Sequence, residues 1–260
     1  MDLQLAGKVV LVTGGASGIG EAIVRTFAQE GAIPVIIGRD PSKAEKLLQD
    51  LQQQGAKTLF VKAELTIEAE CKQAIEQTLQ TFNRIDCLVN NAGINDGVSL
   101  DQLPSEFVKS LQKNLVHYFT MAHYAKPALA ASKGCIINIG SKVANTGQGG
   151  TSGYAASKGG IQALTREWAV SLLSEGIRVN EVIPAEVWTP LYDSWIKTFP
   201  NPQEKLDEIT RRIPLGKRFT TSEEIADAVV FLASSRASHI TGQHIYVDGG
   251  YTHLDRSIGT

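Results

Sequence analysis

The chain has 260 residues, 43% of them hydrophobic and 20% charged. Its 25 Lys and Arg are balanced by 27 Asp and Glu for a net charge of −2, which gives no reason to expect a nucleic-acid partner. No apolar run approaches the roughly 18 residues of a membrane helix, so no membrane partner is expected either.

The N-terminal MDLQL lacks the basic and apolar regions of a secretion signal. Three cysteines, Cys71, Cys87 and Cys135, are odd in number and widely spaced. Both features point to a reducing, cytoplasmic compartment. The histidines form no metal-like pair; His117 and His123, six apart, fall on different faces of a helix, and no metal is expected.

In chain order, seven short runs rich in β-branched residues read as strands. They are 8–14 (KVVLVTG), 34–38 (PVIIG), 58–62 (TLFVK), 86–90 (DCLVN), 135–140 (CIINIG), 177–183 (IRVNEVI) and 244–248 (HIYVD). Their apolar residues run on without alternating, as in strands buried on both faces. Stretches of helical spacing lie between them, at 19–29, 42–53, 68–81, 105–131, 157–174 and 222–232. The alternation predicts a single α/β domain over 1–260. It is a Rossmann-type, doubly wound, parallel seven-stranded sheet with helices on both faces. Residues 186–218 break the rhythm with an aromatic, partly helical insertion. At the carboxyl end of a parallel sheet, that is where a substrate lid would sit.

The first strand opens into TGGASGIG at 13–20. Gly14, Gly18 and Gly20 suit a tight turn, close backbone approach to a pyrophosphate and close helix–strand packing, with Ser17 and Ile19 at the helix start. A glycine cluster can be a bare turn. Here it joins a buried strand to a helix at the start of a βαβ unit, which points to a dinucleotide. The second strand ends in IGRD. Sites for NAD usually place a carboxylate there for the ribose 2′-hydroxyl. This chain has Gly38 and then Arg39, which can hold a 2′-phosphate, so NADP is favoured. Asp40 could serve a ribose, and NAD stays open.

Tyr154 and Lys158, in GYAASKGG, are four apart and share one helix face. A phenol near its ordinary pKa of about 10 is a poor base; a nearby ammonium and a positive nicotinamide favour phenolate. A fall of about three pKa units would represent about 4 kcal/mol. By itself Y-x-x-x-K is also an ordinary surface pair. Ser141 ends the fifth strand, where it can hydrogen-bond the same substrate oxygen. Asn91, Ala92 and Gly93 follow the fourth strand, where tight backbone packs against a cofactor. Asn114 lies mid-helix, where asparagine is mildly unfavourable; a relay water would give it a role, and an exposed position would be the plain reading.

With these residues in place, the chain resembles the short-chain dehydrogenase/reductase family over essentially its whole length. The matching features are TGxxxGxG at 13–20, NNAG at 90–93, Asn114, Ser141, Tyr154, Lys158, the segment 184–189 and VDGG at 247–250. The resemblance implies an Asn114–Ser141–Tyr154–Lys158 tetrad. Tyr154 would be the acid/base, Ser141 would orient the substrate oxygen, and Asn114 would hold a relay water. Lys158 would bind the nicotinamide ribose and lower the tyrosine pKa. It also implies cofactor contacts from Leu65, Pro184, Val187 and Thr189, and a homotetramer. There are departures: Glu64 stands for the usual aspartate near the adenine, Ala185 for a glycine, and Gly140 for a frequent serine.

The insertion has to choose the substrate. Glu186 stands beside Trp188, Tyr192 and Trp195, with Asn95, Asp96, Lys142 and Gln148 as further polar candidates. A carboxylate pairs well with hydroxyls and aromatic faces stack on a sugar ring, so the set suits a polyol. The plainer readings are a salt bridge or cap for Glu186, and packing or an interface for the tryptophans. IPAEVWTPLYDSWI, IPLGKRFTT and VDGGYTHLDR resemble the bacterial L-fucose dehydrogenases within this family. That implies oxidation of an aldopyranose at C1 to the lactone, with a tail (Tyr251, His253) that could close a neighbouring subunit's site. A reductase of 3-oxoacyl, steroid or other ketones is the alternative.

Overall fold

The computed structural model describes residues 2–254. Its strands are β1 (Val9–Thr13), β2 (Ile33–Gly38), β3 (Leu59–Lys62), β4 (Cys87–Asn90), β5 (Cys135–Ile139), β6 (Arg178–Pro184) and β7 (His244–Val247). All pair in parallel, in the order β3-β2-β1-β4-β5-β6-β7. The order reverses between β1 and β4, so a crevice opens there at the carboxyl ends. Each predicted strand is present within about two residues, and β1, β4 and β5 are buried along their whole length. Apolar residues cover both faces in two clusters. One is built on Val10, Val12, Ile36 and Phe27, the other on Leu11, Ile37, Leu88 and Met121.

The helices are α1 (Gly18–Gln29), α2 (Pro41–Gln53), α3 (Glu68–Phe82), α4 (Pro104–Leu111), α5 (His117–Ser132), α6 (Ser152–Ser171), α7 (Pro190–Ile196), α8 (Pro202–Arg211) and α9 (Ser222–Ala233). Two differ from expectation. α6 begins five residues before 157, which places Tyr154 in its first turn. The stretch 105–131 is helical throughout but not regular: a π-turn over Gln112–Val116 joins α4 to α5. Asn114 is the cause. Its side-chain amide donates to the Ser110 carbonyl at 3.1 Å, the acceptor its own N–H would use in an α-helix, and the turn widens. No described helix is long and apolar enough to cross a membrane.

At the amino end of the sheet, Asp86 is 7% exposed and accepts from Arg84 (2.6 and 2.8 Å), Lys8 (3.2 Å) and the Val9 N–H (2.9 Å). Burial opposes its ionisation, but the Arg84 fork, the Val9 N–H and Lys8 outweigh it and hold the carboxyl below its ordinary range. A depressed carboxylate pKa contributes stability that is present above the unfolded value, about 3.9, and is lost as pH falls through the folded one. Asp86→Asn should therefore cost about 1–3 kcal/mol at neutral pH. In urea melts at descending pH, the gap from wild type should narrow as pH falls below the unfolded value of about 3.9. A constant gap would exclude this role.

Candidate active site

The turn after β1 is built for close backbone approach. Gly14 and Gly18 have φ of +65° and +54°, open to glycine at little cost. At Gly20, a Cβ would collide with the Gly14 carbonyl oxygen and lie 2.7 Å from Asn91 Nδ2. Thr13 Oγ1 accepts from the Asn91 and Ala92 N–H groups at 2.9 and 3.1 Å, and Asn91 Nδ2 donates to the Thr13 and Gly14 carbonyls. Asn91 and Ala92 are thus stitched to the β1 turn, and Gly93 follows. Ser17 caps α1 in extended conformation without a side-chain cap bond, leaving first-turn N–H groups facing the crevice. Thr189 leans over this end: a Cβ on Gly18 would lie 3.4 Å from its Cγ2. Pro184 and Val187 are buried on the same side.

At the end of β2, Arg39 is exposed and pairs with Glu64 at 3.4 Å. Asp40 is committed elsewhere. It caps α2, accepting from the Ser42 N–H and hydroxyl at 3.0 and 2.6 Å. Leu65 packs as a partly buried residue against the core. The cradle, the exposed Arg39 and the overhanging Thr189 fit a pyrophosphate-linked dinucleotide.

Tyr154 and Lys158 share one face of α6, beside the end of β5. Lys158 is 2% exposed; its Nζ donates to the Ile139 carbonyl at 2.7 Å and to the Tyr118 hydroxyl at 3.2 Å. The Tyr118 hydroxyl donates to the same carbonyl at 3.0 Å. Lys158 Nζ lies 5.5 Å from the Tyr154 ring centre, and the Ser141 hydroxyl is near enough to the phenol to favour its ionised form. Burial lowers the Lys158 pKa to about 8. In the protein alone Tyr154 moves opposite to the sequence expectation: burial pushes the phenol up to about 12, against the opposing effect of Ser141. Lys158 does not bond the phenol, so its charge does not overcome desolvation.

Asn114 is fully buried. Its Oδ1 accepts from the Ile94 N–H at 2.7 Å while Nδ2 holds Ser110. Both ends of the side chain pin the loop after β4 against the π-turn.

Glu186 is in the ion pair that the plainer reading foresaw. Lys142 Nζ contacts its Oε1, and the Tyr192 hydroxyl donates to Oε2 at 2.9 Å. Lys142 directly follows Ser141, so this polar group adjoins the reactive pair. Trp188, Tyr192, Trp195, Phe199 and Phe219 form a chain of tilted and edge-on rings with centroids 4.9–6.0 Å apart. Trp188 and Trp195 stay 40% and 44% exposed. Asn95 accepts from the Gly97 N–H within its own loop, Asp96 accepts from Ser110, and Gln148 is exposed; the structure does not gather these three around Glu186. Tyr251 lies against its own chain, with Lys142 Nζ 4.0 Å over its ring, and His253 packs edge-on against Tyr246.

The profile of the family described as enoyl-(acyl carrier protein) reductase matches residues 14–252. The L-fucose dehydrogenase of Bos taurus is 37% identical over 255 residues, covering 96% of this chain and 91% of that protein. The chain belongs to the short-chain dehydrogenase/reductase family. The 3-oxoacyl-[acyl-carrier-protein] reductase of Thermotoga maritima is also 37% identical, covering 95% of this chain and 99% of its own. The crystal structure of Cj0485 dehydrogenase has a TM-score of 0.95 at 43% identity, covering 99% of this chain and 98% of that one. A variant of actinorhodin polyketide ketoreductase with NADPH has a TM-score of 0.90 at 27% identity, over 95% and 98%.

As a member of this family the chain is an oxidoreductase of CH–OH groups that uses NAD(P). The structure adds participants the sequence reading missed. Tyr118 shares the Ile139 carbonyl with Lys158, and Thr13 knits the cradle. Glu181 explains one departure from the family pattern: a Cβ at Gly140 would collide with its Oε1, so serine does not fit there. The one signal available was a carboxylate inside a strand run.

Proposed function

We propose that the protein is an NAD(P)-dependent dehydrogenase that oxidises L-fucose or a related aldopyranose at C1 to the lactone. The observation that carries this reading is the Lys142–Glu186–Tyr192 group beside Ser141. A buried charged cluster next to the reacting oxygen is a poor wall for an acyl chain or a steroid. It can exchange its internal bonds for those of ring hydroxyls. The L-fucose dehydrogenases among the relatives support it. A ketone or 3-oxoacyl reductase is the second reading, favoured by the equally similar Thermotoga protein and by the exposed rings of Trp188 and Trp195.

In this reading Ser141 orients the C1 hydroxyl and Tyr154 takes its proton. Lys158 holds positive charge beside the phenol, and Asn114 fixes the loop over which the substrate enters. The Gly14–Gly20 turn and Thr189 hold the dinucleotide. When bound, it supplies the hydride acceptor and a positive ring that favours phenolate. Residues 186–218 act as the lid. Exposed Phe107, Val108, Val116 and Phe119 along α4 and α5 fit burial between paired helices of a homotetramer.

The test is initial-rate NAD(P)H formation on L-fucose, D-arabinose, L-galactose and unrelated aldoses. Turnover of L-fucose and its stereochemical relatives is expected. Glu186→Leu should raise the sugar KM about tenfold, in line with one lost charged hydrogen bond. Turnover of ketones with NADPH and none of sugars would replace this reading with the second. For the cofactor, Arg39→Ala should raise the KM for NADP about tenfold and leave that for NAD unchanged. Equal effects on both would remove the 2′-phosphate from Arg39.

A further inference from the structure

A second charged group lies behind the reactive pair. Glu181 sits inside β6 with no exposed surface. It pairs in register with Asn138 of β5 and shares its side of the sheet. Asn138 Nδ2 donates to Thr165 of α6 at 2.9 Å, so Glu181 lies under the helix that carries Tyr154 and Lys158.

Its two oxygens are treated differently. Oε2 meets Nδ1 of His244, from β7, and His244 Nε2 lies 2.6 Å from Arg166 Nη1 on α6. A guanidinium only donates, so Nε2 accepts, Nδ1 carries the proton, and His244 donates to Glu181. The chain therefore runs from a cation through a neutral imidazole to a buried anion. Oε1 is buried without a partner and rests against Gly140. The preceding residue, Ile139, offers its carbonyl to Lys158 Nζ. Carboxylate and ammonium thus bear on consecutive residues at one strand end.

We infer that Glu181 is a positioning residue for the Tyr154–Lys158 site, an ionised carboxylate that the His244–Arg166 chain sustains and that keeps Lys158 an ammonium. This rests on the Tyr154–Lys158 reading above. The groups facing Glu181 are His244 and Tyr246 from β7, Arg166 and Lys158 from α6, and Tyr118 from α5. Burial lowers the Lys158 pKa, and the anion of Glu181 opposes that fall. Burial raises the Glu181 pKa, and the bond from His244 and the charges of Lys158 and Arg166 oppose that rise. Removing the anion should let Lys158 deprotonate at lower pH.

The experiment follows the ¹³Cε resonance of Lys158 against pH in the full-length protein, assigned by its loss in Lys158→Arg. Glu181→Gln should lower the midpoint by about one pH unit. The alkaline limb of L-fucose oxidation should fall with it, while the KM for cofactor stays put. His244→Ala, at the partly exposed end, should shift the midpoint the same way by less, and it decides the matter if Glu181→Gln does not fold. A folded variant with the wild-type midpoint overturns the inference. The titration needs no turnover, so it stands apart from the site reading; that reading fails separately if Tyr154→Phe retains activity.

Discussion

Replacing Tyr154 by Phe should lower kcat about a thousandfold, or about 4 kcal/mol, and leave cofactor affinity within a factor of two. The ring keeps its place in the first turn of α6, and only the hydroxyl near Ser141 is lost. The size follows from what the hydroxyl does: it takes a proton as hydride leaves the same carbon. The pH dependence is part of the prediction. Burial holds the free phenol near 12, so proton transfer at neutral pH requires a lower value once positive charge is bound beside it. The rate should rise with pH to a limit well below 12, and this limb should vanish in the variant. Steady-state rates on L-fucose and on a ketone, with fluorescence titration of NADPH, measure both parts. A variant with more than a tenth of the wild-type kcat would remove Tyr154 from the acid/base role.

Gly20→Ala should destabilise the protein by about 2 kcal/mol and weaken dinucleotide binding at least tenfold. The added Cβ meets a backbone carbonyl, that of Gly14, and the Asn91 amide that stitches the cradle shut. The backbone carbonyl cannot swing away, and the amide is held by its bonds to the Thr13 and Gly14 carbonyls. Relief requires α1 to shift from β1, and that shift moves the first-turn N–H groups intended for the pyrophosphate. For a chain of this length, the loss corresponds to a fall of about 4–8 °C in Tm. Calorimetry and NADPH titration check the two effects. Normal affinity in the variant would mean that this turn does not carry the phosphates.

Most of the scaffold was legible because its signals are local. Continuous apolar runs marked the buried strands, and glycines needed for close approach marked the cradle. Tyr154 and Lys158 were legible from their spacing. What was hidden depends on which partner a side chain takes, near or distant in sequence. The π-turn arises from the amide of Asn114 reaching the Ser110 carbonyl, a competition that helical periodicity does not register. Likewise, the commitment of Asp40 to capping α2 became visible only with Ser42 in place. Glu181 makes sense only with His244, 63 residues away, and Gly140 only with Glu181 above it. The raised phenol pKa of the protein alone was hidden because spacing reveals a neighbouring charge and says nothing of desolvation.

The ring chain over the crevice gives the protein a built-in optical gauge. Two of its three tryptophans, Trp188 and Trp195, stand in that chain, edge-on to Tyr192, Phe219 and Phe199 and near half exposure. Indole emission depends on water contact, so a ligand that draws the insertion down should shift it to shorter wavelength. Reduced nicotinamide absorbs where indole emits, so its arrival should quench the same signal by energy transfer. Occupancy by sugar and by dinucleotide could then be followed separately in the unlabelled protein, with Trp168 on α6 as a fixed background.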